Sequence, residues 1–271
     1  MPSILPAIAL TLGLLPQAPA TRTSPSPWIS VRALRGADVV LGGQGASARK
    51  GRLQEVVVSS RDGRIAHYML SVGEIVGGPE KIVLVPAADL RITIEEEIPR
   101  ATLRSTEARL RSQPAFNLAK ARKDGVDAAL AEGGTPGASG EGEAAALRDN
   151  TIPQYLFSTD LEGVRVRTGE ELFGRVGDAA IDVRSGAIAY LLVLPRATPG
   201  GVAGGIDGAL IVPFAACRFI EGEKGTLLGV ERTAAELGKA PRYERPSRGF
   251  LSLEQAKRAD SFFAAVPVGQ G

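Results

Sequence analysis

The chain repeats itself, and this repeat restricts the fold more than any other feature of the sequence. The residues around Gly51 and Gly63 return around Gly174 and Gly186, 123 residues later in both cases. Three further pairs of blocks agree with an offset of 127 residues: Leu34–Gly36 with Leu161–Gly163, Ile82–Pro86 with Ala209–Pro213, and Thr106–Phe116 with Thr233–Tyr243. Because all blocks keep the same order, the agreement indicates two tandem copies of one structural unit rather than chance similarity.

The offset between the copies changes only where a loop is expected. The first copy is longer just before Gly51, and the second is longer in a Gly-rich stretch that ends at Gly208. Loops accept such insertions because they lie at the surface of a shared fold. We therefore predict two domains, module 1 at residues 29–118 and module 2 at residues 154–245.

Each module has the pattern of a small β-fold. A turn signal ends at Gly63 in module 1 and at Gly186 in module 2, and the apolar runs on either side of it predict a hairpin. The next apolar run ends at Pro86 or Pro213, where the missing N–H suits the end of a strand. The predicted elements are the strands Leu53–Val58, Ile65–Val72, Val176–Val183 and Ile188–Leu194, and the short helices Ser105–Gln113 and Arg232–Lys239. Several short strands in roughly 85 residues predict a mainly β fold closed into a small barrel, because closure removes exposed strand edges.

The order of features in module 2 carries a resemblance to a known family. These features are Gly163-Val164-Arg165-Val166, Gly174, Val176, Asp182, Ser185-Gly186, Ile188-Ala189-Tyr190, Val212-Pro213, Ala240-Pro241 and Tyr243. In this order they resemble the PRC-barrel family. Module 1 matches less well, because Ser59 stands in the place of Asp182 and His67 in the place of Tyr190.

The resemblance implies two PRC-type β-barrels, each with a short C-terminal helix, that bind other macromolecules. Similar barrels form part of a photosynthetic reaction-centre subunit and of a ribosome-maturation factor. The membrane helix of the first and the partner domain of the second have no counterpart in this sequence, so neither specific function carries over.

The N-terminus predicts a signal peptide at residues 1–20. The apolar stretch Ile4–Leu15 precedes Ala18-Pro19-Ala20, a triplet with the small residues that signal peptidases accept. The stretch is shorter than the roughly 20 residues of a membrane-spanning helix, so no transmembrane segment is expected once the signal is removed. The alternative is a disordered or wrongly assigned start. An export signal would place the protein outside the cytoplasm, in a periplasm or secreted.

Two further segments lie outside the modules. Residues 119–150 predict a flexible linker, because Gly, Pro and Ser fill the centre of this segment. A short helix at residues 121–132 is the alternative for the first part of the linker. Residues 250–265 predict a C-terminal helix that opens with a capping box at Ser252. Its apolar stripe is expected to pack on module 2 and consists of Leu253, Ala256, Ala259, Phe262 and Phe263. The alternative is a helix that binds a partner.

The composition argues against most kinds of active site. The net charge of +2 gives no reason to expect nucleic acid as a partner. Cys217 and His67 are the single cysteine and the single histidine of the chain, and they fall in different modules. Cys217 is therefore interpreted as a small buried apolar residue, and His67 as a ring that fills a strand position.

We predict no catalytic, cofactor-binding or metal-binding residues and no cofactor. The first functional hypothesis is an exported, non-enzymatic binding or assembly module whose partner is a protein. The alternatives are a structural or stress-related envelope protein, or a hydrolase that uses scattered Asp, Glu and Ser residues.

Overall fold

A computed structural model describes residues 27–42, 49–95, 98–132, 152–196, 206–223, 225–246 and 250–264. In chain order the elements are β1 (Trp28–Ser30), α1 (Val31–Leu34), β2 (Asp38–Leu41), β3 (Gly51–Ser59), β4 (Ile65–Ser71), α2 (Gly73–Val76), β5 (Ile82–Pro86), β6 (Leu90–Glu95), β7 (Ile98–Leu103), α3 (Glu107–Ser112), α4 (Leu118–Asp124), α5 (Val126–Glu132), β8 (Tyr155–Phe157), α6 (Ser158–Leu161), β9 (Arg165–Thr168), β10 (Glu171–Asp182), β11 (Ala187–Pro195), β12 (Leu210–Pro213), β13 (Cys217–Gly222), β14 (Gly225–Val230), α7 (Ala234–Leu237) and α8 (Leu253–Ala264). The fold is mainly β, as predicted. The predicted signal peptide lies outside the described residues.

The strands form two seven-stranded sheets with the same order. The first sheet runs β5-β4-β3-β2-β7-β6, and β8 also pairs with β3. The second runs β12-β11-β10-β9-β14-β13, and β1 also pairs with β10. Neighbours are antiparallel except for β2 with β7 and β9 with β14, which are parallel.

The sheets are not closed into the two barrels that the sequence predicts. Each hydrogen-bonded path is open, with β5 and β6 at its two ends in the first sheet and β12 and β13 in the second. A physical reason lies at the corner between these strands. Pro86 and Pro213 end β5 and β12 without an N–H to extend the ladder, and a single 3₁₀ turn follows each proline. The chain therefore turns a corner, and its two edge strands are not paired with each other.

Each sheet contains one strand from the other half of the chain. Trp28 pairs with Asp182 and Ser30 with Ala180, so β1 lies on β10 of the second sheet. Phe157 pairs with Val57, so β8 lies on β3 of the first sheet. We call residues 28–34 and 155–161, each a short strand followed by a short helix, arm 1 and arm 2. The predicted boundaries, 29–118 and 154–245, remain a prediction, but each module extends an arm across the contact between the sheets.

The two predicted hairpins form, and their turns meet. Gly63 and Gly186 have φ of +70° and +65°, the left-handed conformation that glycine adopts without strain. The N–H of Ile65 donates to the carbonyl of Gly186, and the N–H of Ile188 donates to the carbonyl of Gly63, each over 2.9 Å. Because the two bonds join aligned positions reciprocally, they mark an approximate twofold relation between the halves.

Helices cover the outer face of each sheet. Ala256 and Ala259 of α8 are buried with Tyr190 and Leu192, so the predicted C-terminal helix packs on module 2. Leu253, which the sequence assigned to the same apolar stripe, is 57% exposed. None of the helices in the described ranges is both long and apolar enough to span a membrane.

Part of the predicted linker is also helical. The two helices α4 and α5 bury Ala121, Val126 and Leu130 against Val57 and Met69 of the first sheet. These helices shield apolar strand residues from water, which favours an ordered segment over a flexible one. The rest of the predicted linker, from residue 133 to 150, lies outside the described residues.

Candidate functional site

The two reactive side chains that the sequence singles out are not brought together. His67 lies on β4 in the first sheet, and Cys217 begins β13 in the second. The Cys217 thiol donates to the carbonyl of Pro213 over 3.5 Å, and burial raises the pKa of this thiol to about 12. A thiol with such a pKa is protonated at neutral pH and a poor nucleophile.

The ring of His67 differs from its aligned residue in hydrogen bonding. Its Nδ1 atom is buried and has no hydrogen-bond partner, and burial lowers the pKa of the imidazole. The aligned Tyr190 donates its hydroxyl to the carboxylate of Asp260 on α8, at 3.0 Å from each oxygen. Within the described ranges, no group of three or more His, Cys, Asp and Glu side chains is arranged to hold a metal ion.

The most organised polar group lies where the arms cross between the sheets, and sequence reasoning missed it. On the second sheet, Ser30 of arm 1 donates its hydroxyl to Asp178 Oδ2 over 2.6 Å. The other carboxylate oxygen accepts the backbone N–H of Ala179 over 2.7 Å. Both partners are almost fully buried, Ser30 at 5% and Asp178 at 1% exposure. Burial raises the pKa of the Asp178 carboxyl, while the two hydrogen bonds act in the opposite direction.

A matching arrangement lies on the first sheet. The buried Glu55, at the position aligned with Asp178, accepts hydrogen bonds from two hydroxyls of arm 2. Ser158 donates to Oε1, and Thr159 donates to Oε2 over 2.8 Å. Oε1 also accepts the backbone N–H of Val56 over 3.0 Å. Each sheet thus holds one buried carboxylate whose hydroxyl donors come from the other half of the chain.

An ion cluster borders these buried pairs. Glu162, directly after arm 2, accepts hydrogen bonds from the guanidinium groups of both Arg32 and Arg35. Arg32 also donates to the carbonyl of Gly177, one residue before Asp178. The Arg35 and Glu162 side chains are 25% and 23% exposed, so this pair is more shielded from water than a typical surface ion pair.

The chemistry of this group is that of a structural joint. The Ser30 hydroxyl oxygen accepts the backbone N–H of Arg32 and lies within hydrogen-bond distance of that of Ala33, so it caps α1 while its proton goes to Asp178. A serine nucleophile needs a neighbouring base and access to substrate. At 5% exposure, Ser30 is shielded from any substrate. A signal for the joint was present in the sequence, since Glu55 and Asp178 each place an acid within a largely apolar strand at aligned positions.

Clefts of ligand size also open elsewhere on the surface of the described residues. A polar cleft of about 530 Å³ in module 1 is lined by Asp38, Lys50 and Arg52 among others. A more apolar cleft of about 440 Å³ in module 2 lies between the turn before β13, the end of β14 and α8, and Ala215 and Phe263 are among its walls. We call it the α8 cleft.

Several charged groups at the α8 cleft are already paired. Arg218 and Glu231 form an ion pair over 2.9 Å. Arg232 lies over the ring of Phe263, 5.8 Å from its centroid, and donates to the Phe263 carbonyl over 2.7 Å. Asp260 holds the Tyr190 hydroxyl. Such a cleft offers apolar contact with a polar rim rather than an unpaired catalytic charge.

No protein-family model matches the chain, and no curated protein shows significant similarity to it.

Proposed function

We propose that the chain is a non-enzymatic binding or assembly module that is exported and contacts a protein partner. The observation that carries this proposal is the exchange of arms, which joins two similar sheets into one unit. Among the described residues, the buried serines Ser30 and Ser158 and the buried carboxylates Glu55 and Asp178 are used in this joint. A chain whose buried polar groups fix its own architecture is well suited to present a surface of constant shape.

The proposal that these units are PRC-type modules rests on the resemblance to the PRC-barrel family. The same strand order in both sheets supports two related units, and the sharp corners after Pro86 and Pro213 support a strongly bent, barrel-like form. On this proposal the chain binds macromolecules as such modules do. It uses no cofactor and no metal, and it acts in a periplasm or after secretion.

We place the partner contact at the α8 cleft. Its apolar wall and its paired charges resemble the composition of protein interfaces, in which an apolar centre is bordered by polar groups. Ala215 is exposed at this cleft, so a larger side chain there would occupy the cleft without entering the core.

The test is an affinity pull-down from envelope extract with mature protein that begins at Thr21, followed by mass spectrometry of bound proteins. Deletion of one module is a poor control, because it removes a strand from the other sheet. The substitution Ala215→Trp fills the α8 cleft instead. Ala235→Trp is its matched control, since Ala235 is also an exposed alanine of module 2, on the short helix α7, but does not line the cleft.

Capture of one or a few proteins by the wild type and by Ala235→Trp, but not by Ala215→Trp, is the expected result. Capture that Ala215→Trp leaves unchanged would contradict the placement at the α8 cleft. A blank with all three proteins would contradict the binding role and favour a structural envelope protein. Turnover of generic ester or peptide substrates by the purified chain would favour the hydrolase alternative.

A further inference from the structure

We infer that the contact between the two modules is built to select unlike halves, so that module 1 pairs with module 2 and rejects a second copy of itself. The inference starts from the approximate twofold relation between the halves. In a contact with such symmetry, positions close to the axis face their own aligned counterparts, whereas a position away from the axis contacts a different residue of the other half. Any difference between aligned residues at the axis then distinguishes unlike pairing from like pairing.

The charges at the axis differ in this way. Arg35 and Glu162 occupy aligned positions, and they form an ion pair with each other. Arg32 adds a second positive charge to Glu162. If module 1 paired with another module 1, Arg35 would face Arg35 with two further arginines beside it. If module 2 paired with another module 2, Glu162 would face Glu162. Partly buried like charges are unfavourable in both cases.

The sizes of the arm side chains differ as well. Phe157 of arm 2 and Ser30 of arm 1 are aligned, and each lies on the sheet of the other half. Phe157 is 1% exposed and packs with Val57 and Met69. Ser30 pairs with the small Ala180 on the second sheet. Like pairing of module 1 would leave the Phe157 site empty, and like pairing of module 2 would force a phenyl ring into the Ser30 site; both changes are unfavourable in a packed core.

The buried acids are matched to their donors in a third way. Asp178 receives its hydroxyl from Ser30, whereas the longer Glu55 receives hydroxyls from Ser158 and Thr159, which lie one and two positions further along the aligned arm. Glutamate is longer than aspartate by one methylene group, and the carboxylate of Glu55 bonds donors that lie further along the arm. Charge, size and acid length thus favour the same pairing through independent contacts.

The first experiment measures pairing directly. A site for a specific protease is inserted between Gly133 and Asn150, the folded chain is cut there, and the two halves are unfolded together in urea and refolded by dilution. Native mass spectrometry then counts the three possible pairs. Random pairing would give unlike pairs about half the time, whereas a tenfold preference, worth about 1.4 kcal/mol, would give about nine unlike pairs in ten or more. We expect the second result, and a random distribution would overturn the inference.

The second experiment uses the uncut chain and needs no reassembly. In an Arg32→Gln background, which removes the additional arginine, the variants Arg35→Glu, Glu162→Arg and their combination form a charge cycle. We expect each single reversal to lower the Tm by several degrees, because like charges then meet, and the combination to restore at least half of the loss. Additive losses, with the combination worse than either single change, would show that Arg35 and Glu162 do not recognise each other and would overturn the inference.

Discussion

The two sheets have the same strand order but are covered by different parts of the chain. In the first sheet, Val57 and Met69 lie under α4 and α5, two helices of seven residues each. In the second, the aligned Ala180 and Leu192 lie under α8, one helix of 12 residues at the end of the described chain. The strands of both sheets thus keep the same apolar face, but the helices that cover this face differ in number and length. Burial of apolar area is not directional, so one long helix and two short ones serve equally well.

The helices that cover the two sheets also differ in their polar contacts with the strands. In module 2, Tyr190 ties the sheet to α8 through Asp260. In module 1, His67 stands at the aligned position with no partner on Nδ1. Both modules therefore bury apolar residues at aligned strand positions. At the position of Tyr190 and His67, module 2 has a hydrogen bond to its covering helix, whereas Nδ1 of His67 in module 1 has no partner. The predictions that follow test the two modules against each other.

The largest effect is expected from truncation of arm 2. Phe157→Ala should lower the free energy of unfolding by about 3–5 kcal/mol, the usual cost of deleting a buried phenyl ring. Although Phe157 belongs to module 2 in sequence, hydrogen exchange should accelerate first around Val57 and Met69 of module 1. Urea denaturation measures the loss, and Leu253→Ala is the control, since Leu253 is 57% exposed and should change stability by less than about 0.5 kcal/mol. Faster exchange confined to module 2 would contradict the exchange of arms.

The next largest effect compares two aligned glycines. A Cβ on Gly174 would overlap the carbonyl oxygen of Leu194, and a Cβ on Gly51 would lie 2.6 Å from the carbonyl oxygen of Ser71. Because a backbone carbonyl cannot move aside alone, Gly174→Ala and Gly51→Ala should each cost about 2–4 kcal/mol, with the larger loss at Gly174. Gly229→Ala, where the new methyl group makes ordinary contacts, is the control. Equal stability of all three variants in thermal unfolding would show that the close approach of strands is not a shared requirement.

A smaller effect depends on pH and belongs to the joint on the second sheet. Burial raises the pKa of the Asp178 carboxyl above the value of about 3.9 in an unfolded chain. Between these two values the folded state binds more protons than the unfolded state, so this residue adds stability as the pH falls through its folded pKa and removes it again as the pH rises. Asparagine has no titrating carboxyl group. Asp178→Asn should therefore gain less stability than the wild type on acidification from pH 7 to pH 4.

The measurement is chemical denaturation of both proteins at several pH values. The difference between them isolates Asp178, since Asp160, whose pKa burial also raises, is present in both. A difference that stays constant with pH would contradict the raised pKa.

The smallest effect concerns the covering helices. Tyr190→Phe removes the hydroxyl that Asp260 accepts and should cost about 1 kcal/mol, the usual net value of a hydrogen bond. His67→Phe removes an imidazole whose Nδ1 is already unpaired, so its effect should be neutral or slightly stabilising. Thermal unfolding of the two variants side by side measures the contrast. An unchanged Tm in Tyr190→Phe would mean that the ring, and not the hydroxyl of Tyr190, holds α8 on the sheet. A loss in His67→Phe as large as that in Tyr190→Phe would contradict the contrast between the modules.

Local features of the fold could be predicted from the sequence because their causes are local. The turns at Gly63 and Gly186 need a left-handed residue, and the strand ends at Pro86 and Pro213 need a residue without an N–H. Both requirements are visible in a few neighbouring residues. The capping box predicted at Ser252 also forms, since Ser252 and Gln255 exchange hydrogen bonds.

The distant features could not be predicted. Nothing near Trp28 in sequence shows that it pairs with Asp182, because the register of this short strand is set by packing across the whole chain. The joint could have been suspected from Glu55 and Asp178, but its donors are 103 and 148 residues away in sequence.

The exchange of arms also sets an order for biosynthesis. When synthesis has passed α5, the six strands β2–β7 of the first sheet exist, but β3 still lacks its neighbour β8, which is made more than twenty residues later. Glu55 at that moment has neither of its hydroxyl donors. Until the second half of the nascent chain begins to emerge, the first half therefore has an unpaired edge on β3 and a Glu55 carboxylate without its hydroxyl donors. Contacts of such long sequence separation form slowly, and we expect the halves to complete their folding together, in one cooperative step, rather than one after the other.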